Sequence, residues 1–178
     1  MTGADKMLTL ILLRHAKSNW DNPSLPDRDR PLATRGINDA PLMGKAMAER
    51  GIDPELVLCS SARRTRDTLD LVLPELRVEP KVVYQDTLYH AAPETMLELL
   101  QATPAGVNRV MLVGHNPEIQ AFGLDLVGSG PRPFREGLMR KYPTAGLAVI
   151  NFEAGLWKNV PVNSGKLNLF LSPRDLKA

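Results

Sequence analysis

The sequence predicts an α/β protein: a three-layer α/β/α sandwich whose central sheet is mostly parallel, with an antiparallel edge strand. Three observations carry that prediction. Short continuous apolar runs at residues 8–13, 56–59, 81–84 and 110–113 read as strands buried on both faces, as parallel strands are. Helical patterns over about 34–50, 62–73, 93–102 and 117–127 alternate with those runs, the ordering that crossover units produce. The C-terminal third then changes character. Runs at 147–152 and 167–171, with Gly155 and Asn163-Ser164-Gly165 as turn material, read as further strands extending the sheet at one edge.

Boundary chemistry supports the individual helices. Asn116-Pro117-Glu118 offers an Asn cap, a Pro at the first helical position and an acid in the first turn. Pro93-Glu94 repeats part of that signal, and Gly51 after Arg50 suits a helix stop. Pro41 interrupts the first helical pattern, which leaves open a start near Asp39 with Pro41 in the first turn. Residues 19–31 form the least regular stretch and follow the first strand directly. In open α/β sheets such loops line the ligand crevice.

Composition bounds the function. The 178 residues carry 22 Lys+Arg against 20 Asp+Glu, a net charge of +2, with 43% hydrophobic and 24% charged residues. This fits one globular domain over residues 1–178 and excludes a disordered chain, a coiled coil or a collagen-like repeat. So small a net charge argues against a nucleic-acid partner, although local basic clusters remain able to bind a small anion. The single cysteine, Cys59, excludes an internal disulfide framework or a Cys-rich zinc module and points to a reducing compartment. The apolar run after residues 1–6 is far shorter than the roughly 20 residues of a spanning helix. It also lacks a signal peptide's cleavage pattern, so the expectation is a cytoplasmic protein with no membrane partner.

Three polar segments stand at predicted strand exits. Arg14-His15-Ala16-Lys17-Ser18 ends the first strand, where this architecture places ligands. Ser60-Ser61-Ala62-Arg63-Arg64-Thr65-Arg66 carries the second strand into a helix; its guanidiniums, with the N–H groups of a helix start, suit a phosphate. Gly114-His115-Asn116-Pro117 leaves the fourth, placing a histidine where the helix dipole disfavours its protonation. Any one of these would pass for ordinary hydrogen-bonded loop chemistry. Aligned at equivalent ends of three strands, they outline one anion crevice.

The ordered set resembles the histidine phosphatase superfamily, whose nucleophile is the histidine of an Arg-His-Gly motif. Arg14-His15-Ala16-Lys17-Ser18, Arg30-Pro31-Leu32-x-x-Arg35-Gly36, Leu88-Tyr89, Val113-Gly114-His115-Asn116-Pro117 and Pro143-Thr144-Ala145-Gly146 are similar, in order and spacing, to its SixA-like phosphohistidine phosphatase branch. They cover roughly residues 8–153. The resemblance implies that His15 attacks phosphorus and carries the phosphoryl group, that Arg14 and Arg64 neutralise its oxygens, and that His115 donates a hydrogen bond to another. Arg30 and Ser18 join Arg14, Arg64 and His115 as substrate-binding candidates. No metal or other cofactor is implied.

Ala16 stands where the superfamily commonly has Gly, as the SixA-like branch allows. The acid usual in a Leu-x-Glu context is replaced by His90 of Leu88-Tyr89-His90, a candidate proton donor because imidazole is the side chain suited to general acid–base work near neutral pH. Without an acid, good leaving groups are favoured, and the labile P–N bond of a protein phosphohistidine supplies one. The expected partner is therefore a phosphorylated protein or, alternatively, a small phosphate ester; a silent phosphate-binding module would not require His15. Competing hydrolases fit poorly. Arg64 falls one position short of a cysteine-phosphatase loop counted from Cys59, no Gly-x-Ser-x-Gly is present, and His15, His90 and His115 form no local metal-binding pair.

Overall fold

The computed structural model describes residues 7–178; the N-terminal residues 1–6, considered above for a leader's cleavage pattern, lie outside the described residues. The chain runs β1 (Met7–Arg14), α1 (Thr34–Glu49), β2 (Leu56–Ser60), α2 (Arg63–Val72), β3 (Lys81–Gln85), α3 (Pro93–Gln101), β4 (Arg109–Gly114) and α4 (Glu118–Leu126). It continues through β5 (Val127–Ser129), α5 (Arg132–Arg140), β6 (Leu147–Glu153), β7 (Gly165–Leu171) and α6 (Pro173–Lys177).

The strands form one seven-stranded sheet in the order β3-β2-β4-β1-β6-β7-β5. Four pairings are parallel, β3 with β2, β2 with β4, β4 with β1 and β7 with β5. Strand β6 runs antiparallel to both of its neighbours, β1 and β7. The mostly parallel sheet is as expected, but the antiparallel strand is internal rather than at an edge. β7 turns back to run with β1 and recruits β5, so β6 is covered on both sides and the edges are β3 and β5.

Period-2 burial assigns the helices to faces. Leu8, Leu10, Leu12, Leu56, Leu58, Val110, Leu112, Ala148 and Ile150 pack with Met96 and Leu100 of α3, Ile119 and Phe122 of α4 and Leu138 of α5. The alternate residues Ile11, Leu13, Val57, Cys59, Met111, Val113, Leu147 and Val149 pack with Met43 and Met47 of α1 and Leu69 and Val72 of α2. The central strands are apolar on both sides for that reason. The chain winds outward from β1 to β3 with helices on one face, then returns to β4 with α3 on the other. That reversal places the C-terminal ends of β2, β4 and β1 side by side, the position where open α/β sheets bind ligands.

Of the two starts left open for α1 the structure takes the one at Thr34, whereas the start of α4 differs from the sequence expectation. Helix α1 starts at Thr34 and passes through Pro41, because the buried face of Gly36, Ala40, Met43, Gly44 and Met47 outweighs the backbone bond that Pro41 removes. Helix α4 starts at Glu118 with Pro117 in the cap position and no side-chain cap; the Asn116 amide instead lies 3.4 Å from Gln120 Oε1. α5, α6 and β5 were not anticipated. In α5 Leu138 alone is fully buried, too little apolar patterning to announce a helix.

Gly36 fixes how α1 meets the loop after β1. A Cβ there would lie 2.3 Å from the Lys17 carbonyl oxygen and 2.9 Å from its nitrogen, while Ala33 N–H donates to that same carbonyl at 2.9 Å. Gly36→Ala is therefore expected to destabilise the fold by about 1–3 kcal/mol through overpacking. Urea unfolding would read this as a lower midpoint at unchanged slope.

Candidate active site

Register builds the site. Arg14 pairs with Gly114 across β1 and β4, and Cys59 with Val113 across β2 and β4, so the residues that follow, His15, His115 and Ser60, leave the sheet together. The backbone there is pinned on several sides. Arg14 N–H donates to Gly146 O at 3.0 Å, His15 N–H to Gly114 O at 3.1 Å and Ala145 N–H to His15 O at 3.0 Å.

The spacing Ser60-x-x-x-Arg64-Thr65-x-x-Thr68 has a mechanical basis in α2. Thr65 Oγ1 lies 2.8 Å from both the Ser60 and Ala62 carbonyls, tying the first turn to the end of β2. One turn on, Thr68 Oγ1 donates to Arg64 O at 2.6 Å and accepts from Ala16 N–H at 2.9 Å. The helix that presents Arg64 thus also holds the loop that presents His15.

Four of the candidate residues come together. His15, Arg64 and His115 are 7%, 7% and 4% exposed, with the two imidazole centroids 5.4 Å apart. Arg14 is half-buried and donates from Nη1 to Tyr142 O at 2.6 Å, while the Tyr142 hydroxyl donates to Leu12 O at 2.6 Å. His15 Nδ1 lies 2.7 Å from Ala16 O. A carbonyl only accepts, so the proton is on Nδ1 and the Nε2 lone pair is free. His115 Nε2 is 2.8 Å from Ser60 Oγ, and its Nδ1 is buried without a partner.

Burial keeps both rings neutral. It pulls His15 down to about 4, helped by the charges of Arg64 and Arg14 and opposed by the Ala16 carbonyl and Asp27. It takes His115 to about 3, with His15 and Arg64 adding to the effect. Burial also lowers the Arg14 pKa.

The sequence did not single out Asp27, which proves central to the arginine arrangement. Its backbone carbonyl accepts from Arg64 Nη1 at 2.8 Å, and its Oδ2 accepts from Arg64 Nη2 at 3.1 Å and from the Tyr89 hydroxyl at 2.5 Å. The Tyr89 bond holds the carboxyl below its ordinary pKa, with Arg64 and Arg30 adding to it against the opposing effect of burial. Arg30 sits outside this contact. Its Nε is 3.3 Å from Asp27 Oδ1 and its guanidinium lies 3.6 Å over the Trp20 ring, so it bears on the site through Asp27. The only signal for Asp27 was its place in the irregular loop 19–31, three residues before Arg30.

Ser18 is buried, and its backbone bridges Leu32, closing the base of that loop. His90 lies at the rim with its side chain 65% exposed and Nδ1 3.8 Å from Glu118 Oε1. Rings connect it to the interior: His90 to Tyr89 at 4.1 Å, Tyr89 to His115 at 5.5 Å. Among the described residues no cluster of three or more His, Cys, Asp or Glu side chains could hold a metal ion. Burial raises the Cys59 thiol to about 12, which leaves it a packed, protonated side chain.

Fold and site together define an α/β protein with two buried imidazoles and two guanidiniums gathered at the carboxyl ends of its parallel strands. A sequence model of the histidine phosphatase superfamily (branch 1) matches residues 10–88. An uncharacterised protein of Mycobacterium leprae is 36% identical over 166 residues, 91% of this chain and 100% of that protein. Among solved structures, a candidate phosphohistidine phosphatase SixA from Agrobacterium tumefaciens is 34% identical with a TM-score of 0.79, covering 93% of this chain and 98% of that one. Its counterpart from Nakamurella is 30% identical with a TM-score of 0.80, over 94% and 96%. The chain belongs to the histidine phosphatase superfamily, in its SixA-like branch.

An imidazole whose folded pKa lies below its unfolded value of about 6.5 leaves the unfolded chain binding more protons between the two. Stability is therefore expected to fall as the pH drops from about 6.5 towards the folded value of about 4 for His15. NMR titration of the ring carbons should show no midpoint for His15 or His115 between about pH 5.5 and 8; a His15 midpoint near 6.5 would contradict the burial account.

Proposed function

We propose that the protein is a phosphatase that works through a covalent phosphohistidine on His15, acting on phosphohistidine carried by a partner protein. The observation that carries this reading is the His15 tautomer. With Nδ1–H donating to the Ala16 carbonyl, Nε2 is an uncharged nucleophile in a pocket shared with two guanidiniums.

In the first displacement the Nε2 lone pair forms an N–P bond while the bond from phosphorus to the leaving imidazole breaks, and the departing nitrogen keeps that electron pair. Arg14 and Arg64 offset charge on the equatorial oxygens, and His115 supplies a neutral hydrogen-bond donor. The phosphorylated ring is an imidazolium while Nδ1 keeps its proton on Ala16 O, which makes it a ready leaving group. Water then forms the new O–P bond, the N–P bond breaks, and His15 recovers its lone pair as inorganic phosphate leaves. The chain's own cations and dipoles carry the charge in this scheme, with no metal or cofactor. His90, at the rim and beside Glu118, is the candidate to protonate the leaving group.

Several features favour a protein-borne phosphoryl group. Between β3 and α3, where a lid would stand, there is one 3-10 turn at Asp86–Leu88 followed closely by α3, so the rim offers little material to enclose a small ester. The similar SixA proteins from Agrobacterium and Nakamurella are described as candidate phosphohistidine phosphatases. A single cysteine supports a reducing, cytoplasmic setting; separately, no helix among the described residues is long and apolar enough to cross a membrane.

The test compares turnover of a histidine-phosphorylated protein with that of p-nitrophenyl phosphate. The phosphoprotein is expected to be the better substrate, and Arg64→Ala to lower its kcat by about 10²–10³, the cost of a transition-state donor. Efficient ester hydrolysis with no turnover of the phosphoprotein would contradict the reading.

A further inference from the structure

A groove of about 430 Å³ lies beside the proposed site, lined by Arg35, Asp39, Lys141, Thr144, Arg174 and Lys177 among others. It opens at the same end of the sheet as His15, for it is built where α1 begins, before β6 starts and after β7 ends. Chain neighbours of the groove's lining residues bond to the His15 site. Tyr142, next to Lys141, takes the Arg14 guanidinium on its carbonyl, and Ala145, next to Thr144, donates its N–H to His15 O. Gly36, next to Arg35, packs against the Lys17 backbone.

The charges in this groove are unbalanced. Asp39 is 4% exposed and already engaged by Lys177, with Nζ 2.6 Å from Oδ1. The only other carboxylate nearby on α6, Asp175, is committed to the Ser172 N–H and hydroxyl at 2.8 and 2.9 Å. Arg35, Lys141 and Arg174 are exposed, and among the described residues none of them takes part in a salt bridge. Elsewhere Arg28 pairs with Asp86, Arg63 with Asp67, Arg77 with Asp53, Arg109 with Glu55 and Arg132 with Glu136, Arg50 and Arg135 donate to the Ala46 and Gly130 carbonyls, and Arg66 stacks over Tyr84; Arg140 has no salt bridge among the described residues but lies outside the groove. On a chain of net charge +2, three cations around one groove at the same end of the sheet as His15, with no side-chain partner among the described residues, are a local excess.

We infer that this groove docks an acidic segment on the surface of the phosphoprotein substrate, beside the phosphoryl group that enters the site. The inference deepens the proposed function and rests on it. Carboxylates on the partner would complete the ion pairs that Arg35, Lys141 and Arg174 lack, steering the encounter and fixing its orientation more than adding to chemistry. Nucleic acid fits less well. Its affinity comes from many phosphate contacts, and three cations on a nearly neutral chain provide few.

The double variant Lys141→Glu with Arg174→Glu tests it, since neither residue belongs to the proposed catalytic machinery. For a histidine-phosphorylated protein with an acidic surface, kcat/KM is expected to fall about tenfold at unchanged kcat, with a flatter dependence on ionic strength. Turnover of phosphoramidate, too small to reach the groove, should be unchanged. Equal losses on both substrates, or an undiminished kcat/KM for the protein at low salt, would overturn the inference. Binding of fluorescein-labelled decaglutamate, read by anisotropy, separates this inference from the proposed function because it needs no turnover. Wild type should bind the peptide and the double variant should not. Absence of binding by wild type, or tighter binding of a single-stranded DNA oligonucleotide than of decaglutamate, would overturn docking of an acidic protein segment.

Discussion

The hydrogen bond from His15 Nδ1–H to the Ala16 carbonyl, 2.7 Å long, is the constraint around which the rest of the structure is arranged. It fixes the ring's tautomer and gives Nε2 a lone pair with no proton to lose. Such a bond matters only if the ring stays neutral, and burial achieves that. Burial in turn requires the loop after β1 to be held from every side. β4 and the turn before β6 hold it through backbone bonds, Thr68 of α2 holds Ala16, and Gly36 lets α1 approach Lys17 closely. The seven-stranded sheet serves this arrangement by bringing three strand ends into register.

The second problem the structure solves is concentrated positive charge. Two guanidiniums beside two buried imidazoles would repel one another and any proton, and each is restrained by an oxygen. Arg14 is held by the Tyr142 carbonyl, and Arg64 by both the carbonyl and the carboxylate of Asp27. Tyr89 orients that carboxylate with a 2.5 Å bond. In the proposed scheme these contacts keep the cations in place before a phosphoryl group arrives, so little reorganisation accompanies its binding. The unmatched cations of Arg35, Lys141 and Arg174 are a different case. They lie outside this network, and among the described residues no oxygen is hydrogen-bonded or ion-paired to them.

Much of the fold was legible because the central strands are buried on both faces and follow one another with helices between. The same local pattern could not place β6 inside the sheet. Its partners are β1 and β7, and that β5 rather than β6 ends the sheet on that side is decided by long-range pairing. α5 and α6 bury too few apolar side chains to be read, and Asn116 carried a cap signal that the structure does not use. Within the site, Arg14, His15, Arg64 and His115 were readable because each stands at a strand exit or one helical turn beyond. Asp27 was not, since it reaches Arg64 only through the folding of an irregular loop. Tyr89 was visible as a motif residue, but its bond to Asp27 spans 62 positions and has no local trace. Arg30 stands in a motif as a substrate-binding candidate; its stacking on Trp20 is likewise a tertiary contact.

The central claim is that His15 acts through Nε2 because Nδ1 is committed to a carbonyl. Rapid quenching of the protein during turnover of a phosphohistidine donor, followed by NMR of the trapped adduct at alkaline pH, identifies which ring nitrogen carries phosphorus. The account predicts phosphorus on Nε2 of His15 and no adduct in His15→Ala. Phosphorus on Nδ1, or an adduct that persists in His15→Ala, would contradict it.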